Sequence, residues 1–287
     1  MSQRIVITGA GGMVGRMLVD RCRAQGREVL ALTSADCDIT DPAAVAALHD
    51  RLAGAAVVNC AAYTKVDAAE QDADRARAVN VDGAENIARA CARSGARLVH
   101  ISTDYVFSGD FGDAPPRPYE VDDETGPRSV YGQTKLDGEI AVLAALPEAR
   151  VLRTAWVYAG QSGSDFVAVM KRLAGGTGPV EVVADQTGSP TYAGDLVTAL
   201  LQAADGATTE AVLHAANEGA VSRFELARAV FEEVGADPQR VLPVGSDRHP
   251  RPAPRPSYSA LASRRSAAAG LTPLRSWRSA LAAALAE

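Results

Sequence analysis

A phenol and an ammonium stand four residues apart in the segment Tyr131-Gly-Gln-Thr-Lys135. On a helix, residues i and i+4 are neighbours on one face, so both side chains can reach one cleft, as a proton donor and the cation that tunes it. The same spacing on any amphipathic helix also describes a half-buried Tyr beside a solvated Lys, so it acquires meaning only from its surroundings. Upstream, an apolar run ends in Ser102-Thr103-Asp104. A hydroxyl at the end of such a strand can hydrogen-bond a carbonyl oxygen, and charge developing there in a reduction needs both a proton and aimed donors. Thr103 is the candidate donor and Tyr131 the candidate acid. An unperturbed phenol titrates near about 10, and the Lys135 ammonium, by favouring phenolate, brings it closer to the working range. Asp104 can bind substrate hydroxyls or adjust the local field, with a turn-forming Asp as the plain alternative.

The elements that must hold these groups follow from hydrophobic periodicity. Arg4 to Thr8 is a short apolar strand, Gly9 to Gly12 a loop, and Met13 to Arg23 carries Val14, Met17, Leu18 and Cys22 at helical spacing. Strands at 28–32, 56–60 and 98–102 then alternate with helices at 42–52 and 73–94. This rhythm predicts parallel β-α units with right-handed crossovers, hence an α/β fold with a doubly wound parallel Rossmann-type sheet. A polar, Pro-containing stretch at 109–129 breaks the pattern, and loops of that length are functional or disordered. The helix 130–146 and the strand 150–154 resume it. A dinucleotide-binding domain is expected over 1–155, with segments near 185–205 returning to it, and 156–287 is expected to form mainly a smaller, interleaved C-terminal α/β substrate lobe. The Pro/Arg-rich segment 250–256 reads as extended and on the surface.

Gly9, Gly12 and Gly15 directly follow a strand and open a helix, the context in which backbone N–H groups and the positive helix end hold a pyrophosphate. Gly11 adds to the loop. The end of the second strand, where an acid would hold the adenosine ribose and repel a 2'-phosphate, is the neutral pair Thr33-Ser34. Arg16 can approach such a phosphate, although a solvated first-turn charge explains it equally well. NADPH is therefore expected, with NADH as the alternative. Asp38, followed by Ile39, can accept from the adenine amino group, and Asn59-Cys-Ala-Ala-Tyr-Thr64 ends its strand in small residues that let a cofactor approach.

The bulk numbers exclude other classes. With 287 residues, 47% hydrophobic, the chain can bury a large core; 29 basic against 35 acidic residues give a net charge of -6 and no basic run suited to nucleic acid. The four cysteines lie at Cys22, Cys37, Cys60 and Cys91, without C-x-x-C or metal-ligand spacing. They read as buried thiols of a cytoplasmic protein. Met1 leads straight into an apolar strand rather than a signal segment, and no stretch approaches the ~20 apolar residues of a membrane span.

At these residues the chain resembles the extended short-chain dehydrogenase/reductases and, within them, the dTDP-4-dehydrorhamnose reductase family. The strings that carry the resemblance run from Asn59 to Glu70, Ser102 to Phe107, Tyr131 to Glu139, Arg153 to Tyr158, Asp185 to Thr191 and Arg255 to Ser257, in the family's order over nearly the whole chain. The resemblance implies NAD(P)H-dependent reduction of the 4-keto group of dTDP-6-deoxy-L-lyxo-4-hexulose to dTDP-L-rhamnose. It implies cofactor contacts from Gly12, Met13, Val14, Thr33, Asp38, Ile39, Ala62, Tyr63, Thr64, Tyr131 and Lys135, and substrate contacts from Thr103, Asp104 and Trp156. Lys135 would also grip the nicotinamide ribose. Some members bind Mg²⁺ at a dimer interface through an acid two positions after the last loop glycine; Met17 stands there in this chain, so no metal is expected and either monomer or homodimer is compatible. Asp165 replaces a common Asn. Two alternatives accompany this reading: another nucleotide-sugar 4-ketoreductase, and a non-catalytic NADP-binding regulatory subunit similar to that of methionine adenosyltransferase. The intact Thr103, Tyr131 and Lys135 weigh against the second.

Overall fold

A computed structural model describes residues 3–161 and 163–286; Met1 and Ser2, read above as leading into the first strand, lie outside the described residues. The chain runs β1 (Ile5–Thr8), α1 (Met13–Ala24), β2 (Val29–Leu32), α2 (Pro42–Ala46), α3 (His49–Leu52), β3 (Ala56–Asn59), α4 (Val66–Ala69), α5 (Ala73–Arg77), a π-helical segment Ala78–Gly83, α6 (Ala84–Ser94), β4 (Arg97–Thr103) and a 3-10 turn Asp104–Val106. Then follow α7 (Val130–Ala145), β5 (Arg150–Thr154), β6 (Val157–Tyr158), α8 (Phe166–Ala174), β7 (Val180–Val183), β8 (Thr187–Gly188), β9 (Thr191–Tyr192), α9 (Ala193–Ala204), β10 (Val212–His214), β11 (Val221–Ser222), α10 (Arg223–Glu233), β12 (Val241–Val244), α11 (Arg264–Ala268) and α12 (Trp277–Ala286).

Six strands form one sheet in the order β10-β5-β4-β3-β1-β2, parallel throughout. Successive residues of a strand face opposite sides, and both sides are covered. Ile5, Ile7, Val58 and Val99 pack with Leu18 and Val19 of α1 and Leu196 and Leu200 of α9. Val6, Val57 and Leu98 pack with Val45 of α2, Ile87 and Cys91 of α6 and Val142 of α7. This is the doubly wound arrangement expected from the β-α rhythm. Each fully buried aliphatic side chain contributes roughly 1.5–3 kcal/mol, which makes the sheet a rigid platform. Strand order reverses between β1 and β3, and ligands of open α/β sheets bind at the carboxyl ends of strands beside such a reversal.

A second core gathers α8, α10 and α12 around Val167, Met170, Val230, Phe231 and Leu281, flanked by the short pairs β12–β7, β11–β8 and β6–β9.

Local structure departs from the periodicity in three places. The stretch 42–52 is two short helices, with Asp41 accepting from the Ala43 N–H at 2.8 Å to cap the first. The stretch 73–94 passes through the π-helical turn, which brings Asn80 inward. Its amide accepts from Tyr63 N (2.8 Å) and donates to the Tyr63 carbonyl (3.2 Å) and to Thr134 Oγ1 (3.1 Å), pinning the loop after β3 to α7. The segment 250–256 forms no helix or strand and keeps Pro250, Arg251, Pro252 and Pro254 exposed, as expected of a surface stretch, but it is pinned at Ala253, which is buried, and at Arg255, whose guanidinium donates to Asp67 Oδ2 at 2.9 Å. A guanidinium with a fixed carboxylate partner holds this chain down where composition alone reads as solvated. The 109–129 stretch is likewise anchored, with Tyr119 stacked on Phe107 at 4.2 Å and bonded through its backbone to Ala260.

Candidate active site

The glycine loop closes tightly between β1 and α1. Gly9 has φ +66°, and a Cβ there would lie 2.5 Å from the Ala61 nitrogen, so only glycine lets the loops after β1 and β3 touch. Gly12 is the N-cap of α1 with no side-chain hydrogen bond, and the first turn carries no acid. The first-turn N–H groups of this 12-residue helix, beginning at Met13, Val14 and Gly15, are therefore left without a side-chain acceptor, and the positive end of the helix favours an anion.

Beside the loop runs a cleft of about 490 Å³ lined by Gly9, Gly11, Gly12, Thr33, Ser34, Cys37, Asp38, Ile39, Cys60, Ala61, Ala62, Tyr63, Arg75 and Val79. Thr64, next along the loop, is exposed and does not line it. Arg16 does not line it either; its guanidinium donates to the carbonyl of Gly11 at the cleft's rim. The cation on the cleft wall is Arg75, which sequence spacing did not single out. Asp36, also unanticipated, accepts from both the N–H (2.9 Å) and the hydroxyl (2.7 Å) of Thr33. Asp38 is held below the ordinary carboxylate range by the backbone N–H and hydroxyl of Thr40, with help from Arg75. Burial pushes the Cys60 thiol up to about 12, so this cleft-lining sulfur is no nucleophile. The cradle fits a dinucleotide: an extended slot, small walls, and uncapped N–H groups at its pyrophosphate end.

The catalytic candidates meet at the carboxyl end of β4. Ser129 caps α7 by accepting from the Gly132 N–H at 3.1 Å, which starts the helix so that Tyr131 lies in its first turn. A Cβ on Gly132 would lie 2.3 Å from the Tyr105 carbonyl oxygen, so the glycine allows α7 to sit against the turn that follows Thr103. The Thr103 hydroxyl lies between the Tyr131 hydroxyl and the Asp104 carboxyl, donating to the latter at 3.1 Å. Burial, reinforced by the neighbouring Asp104 and Tyr105, raises the Tyr131 phenol well above its ordinary range, with Thr103 working in the opposite direction.

Lys135 is buried. Burial lowers its ammonium to about 8, opposed by the charge of Glu139. Its Nζ stands one helical turn from Tyr131 without a direct hydrogen bond to it. It donates to the Ile101 carbonyl at 2.7 Å and faces His100 Nε2 at 3.3 Å. Inside a helix–sheet interface a polar head takes the nearest buried partners, since leaving it unpaired is costly. Glu139 in turn is paired with Arg153 at 2.7 Å, both side chains buried.

Asp104 is buried and its carboxyl is pushed up to about 6 by desolvation, against hydrogen bonds from Ser259 and Thr103 and the charge of Arg223. Ser259 donates at 2.6 Å from 155 residues away, a contact no local motif signals. Trp156 adopts φ 46°, alone among the described non-glycine residues with positive φ, a conformation costing about 1–3 kcal/mol that must be held by packing. Its indole lies so close to Gly188 that a Cβ there would come within 2.4 Å of the ring, and the Arg223 guanidinium covers it at 3.5 Å. Arg223 is thus a site candidate that sequence reading missed, because its position in helix α10 has no motif around it. A separate cleft of about 540 Å³ along the 108–126 loop contains none of these residues.

Comparison with known proteins identifies the family. The RmlD substrate binding domain family model matches residues 3–287. The dTDP-4-dehydrorhamnose reductase of Mycolicibacterium smegmatis is 64% identical over 100% of this chain and 86% of its own length. Among solved structures, a dTDP-4-dehydrorhamnose reductase from Clostridium acetobutylicum superposes with a TM-score of 0.92 at 35% identity, covering 99% of both chains. The enzyme of that name from Bacillus anthracis, in complex with NADP, superposes at 0.90 with 34% identity over 98% of both. With residues 3–287 matched by the family model and a relative 64% identical over the full chain, the protein belongs to the RmlD substrate-binding-domain family.

Proposed function

We propose that the protein is an NADPH-dependent oxidoreductase that reduces the 4-keto group of dTDP-6-deoxy-L-lyxo-4-hexulose to give dTDP-L-rhamnose. The observation that carries this reading is the meeting of Thr103, Tyr131 and Lys135 at the carboxyl end of β4, on the same end of the sheet as the glycine cradle. Relatives and solved structures of the same name, one with NADP bound, support it.

In this reading Gly9, Gly12, Met13, Val14 and Gly15 hold the pyrophosphate, and Thr33, Asp38, Ile39, Ala62, Tyr63 and Thr64 flank the adenosine half. Bound NADPH supplies a hydride. Thr103 hydrogen-bonds the substrate carbonyl, and Tyr131 gives its hydroxyl proton to the oxygen as negative charge develops there. Lys135 offsets the phenolate left behind. Asp104, with a proton affinity near the working range and anchored by Ser259, accepts from a sugar hydroxyl, while Trp156 under Arg223 offers a flat face to the sugar nucleotide. We assign cofactor binding mainly to residues 1–155 with the α9 segment, and substrate binding mainly to 156–287. Arg75 takes the role of meeting a 2'-phosphate that was first given to Arg16. Among the described residues no helix is long and apolar enough to cross a membrane.

The test is NADPH oxidation with the 4-keto-6-deoxy sugar nucleotide and identification of the product sugar. Tyr131→Phe is expected to bind NADPH as the parent does while turnover falls by about 10²-fold or more. Tight cofactor binding without oxidation of NADPH by the parent protein would instead favour a regulatory subunit.

A further inference from the structure

Three polar residues stand on the apolar strands β1, β3 and β4: Thr8 and Asn59 at the ends of theirs and His100 midway along β4. Register puts them side by side, Thr8 opposite Asn59 and Asn59 opposite His100. They share the sheet face of Val6, Val57 and Leu98, beneath α7, and all three are essentially inaccessible to water. Burying three polar side chains in an otherwise apolar layer is tolerated only if each is hydrogen-bonded. The pattern of those bonds has one polarity.

Asn59 Oδ1 accepts from the Ala61 backbone N–H at 3.1 Å and from the Thr8 hydroxyl at 2.6 Å. A backbone N–H can only donate, so the amide orientation is set. Asn59 Nδ2 then faces His100 Nδ1 at 3.1 Å. An amide NH₂ can only donate as well, so Nδ1 is the bare nitrogen and the ring proton resides on Nε2. That Nε2–H points at Lys135 Nζ, 3.3 Å away, while Nζ donates to the Ile101 carbonyl. An ammonium has no lone pair to receive the imidazole hydrogen; an amine has one. A doubly protonated ring is excluded by the same geometry, since both its nitrogens would face donors. The chain is not a proton wire, because the Asn59 amide cannot pass a proton onward and the sequence of bonds ends at Thr8 inside the sheet.

We propose that His100, oriented by Asn59 and Thr8, is a positioning residue that donates its Nε2 hydrogen to Lys135 and holds this lysine in the amine form at rest, making it a titrating partner of Tyr131 rather than a permanent cation. The charged and titratable groups around Lys135 are consistent with this. Among the described residues Glu139, on the same helix, is the carboxylate that favours the ammonium, and Arg153 from β5 engages it at 2.7 Å. Tyr131, one turn earlier on α7, is itself held protonated by burial. From β4 only His100 and the Ile101 carbonyl reach Nζ. When the Tyr131 phenol gives its proton to the substrate oxygen, the Lys135 amine can take up one proton from solvent, and the ammonium so formed offsets the new phenolate, a change of charge that a permanent ammonium cannot make.

The consequence for turnover rests on the reductase reading, but the resting state of His100 and Lys135 can be measured without substrate or cofactor. The protein has four histidines and only three lysines, Lys65, Lys135 and Lys171, so ring ¹⁵N and lysine ¹³Cε signals can be assigned by single substitutions. Near neutral pH the His100 ring should be neutral with its proton on Nε2. Asn59→Asp reverses the bond to His100: a carboxylate there accepts from Nδ1–H, leaving Nε2 bare to accept from an ammonium. The tautomer should invert, and Lys135 should titrate higher by about one pH unit or more. His100→Gln, whose amide oxygen can also turn to the ammonium, should raise the Lys135 titration without adding a charge, which separates hydrogen-bond polarity from the electrostatic effect of the new Asp. A parent protein with the proton on Nδ1, a doubly protonated ring, or a Lys135 titration unmoved in His100→Gln would overturn the proposal. Loss of NADPH oxidation in a protein whose tautomer is as stated would count against the reductase reading and leave the proposal standing.

Discussion

Gly132→Ala tests whether helix placement sets the catalytic geometry. The added Cβ would lie 2.3 Å from the Tyr105 carbonyl oxygen and 3.1 Å from Pro127 Cβ, whereas ordinary contact begins at 3.4 Å. Roughly 1 Å must therefore open between the start of α7 and the turn after β4. The clash is with backbone, so no side-chain rotation relieves it. Tyr131 is the adjacent residue on α7, and Tyr105 is two residues from Thr103, so the displacement falls on the Thr103–Tyr131 contact itself. A misplacement of about 1 Å at a reacting centre costs on the order of 10²-fold in rate. The glycine cradle at Gly9 to Gly15 belongs to other elements and should keep its NADPH affinity. The assay is steady-state NADPH oxidation with the 4-keto sugar nucleotide, paired with a cofactor titration by fluorescence and a thermal melt. Turnover within about twofold of the parent, in a folded protein with normal cofactor affinity, would refute the idea that close approach of α7 to Tyr105 positions the acid.

Three further outcomes are expected. Arg75→Ala should weaken NADPH binding by about tenfold or more while leaving NADH nearly unchanged, since only the 2'-phosphate needs the cleft-wall cation; equal losses for both cofactors would remove Arg75 from that role. Asp104 has a folded-state proton affinity raised from 3.8 to about 6, so between these values the native state binds more protons than the unfolded chain and stability falls as pH rises through the window. Below it Asp104 contributes nothing, and above it the cost is complete, roughly 3 kcal/mol; in Asp104→Asn, melts across this range should lose that slope, and an unchanged slope would show that the carboxyl is not desolvated. Glu139→Gln leaves the Arg153 guanidinium buried without its counter-charge and should cost about 3–5 kcal/mol, measured as a lowered denaturant midpoint at constant m-value; a loss below about 1 kcal/mol would mean that water reaches the pair.

Much of the architecture is written in local pattern. Strand, glycine loop and helix are adjacent in the chain at 4–24, and Tyr131 and Lys135 are linked by helical periodicity alone, so each can be read in a window of a few residues. The α/β rhythm likewise foretold a doubly wound sheet, because alternating short apolar runs and amphipathic helices can bury both sheet faces in few other ways. What could not be read is whatever depends on register between distant strands or on the return of the C-terminal chain. Lys135 is placed beside Tyr131 by helix spacing, but its hydrogen-bond partners, His100 and the Ile101 carbonyl, are set by how α7 lies on β4. Thr8, Asn59 and His100 could not be read as a group because they are separated by 51 and 41 residues in the chain and become one polar row only when three strands align. Arg16 was the one cation that local spacing offered, whereas Arg75 reaches the cleft wall only because the 73–83 segment folds back beside the loop after β3. By itself, then, the sequence determined which chemical groups are present and the local elements that carry them, because periodicity and turn chemistry act over a few residues. Tertiary structure decided which of those groups share a hydrogen bond and which are stripped of water, and those two conditions set how readily Tyr131, Lys135 and Asp104 give up a proton.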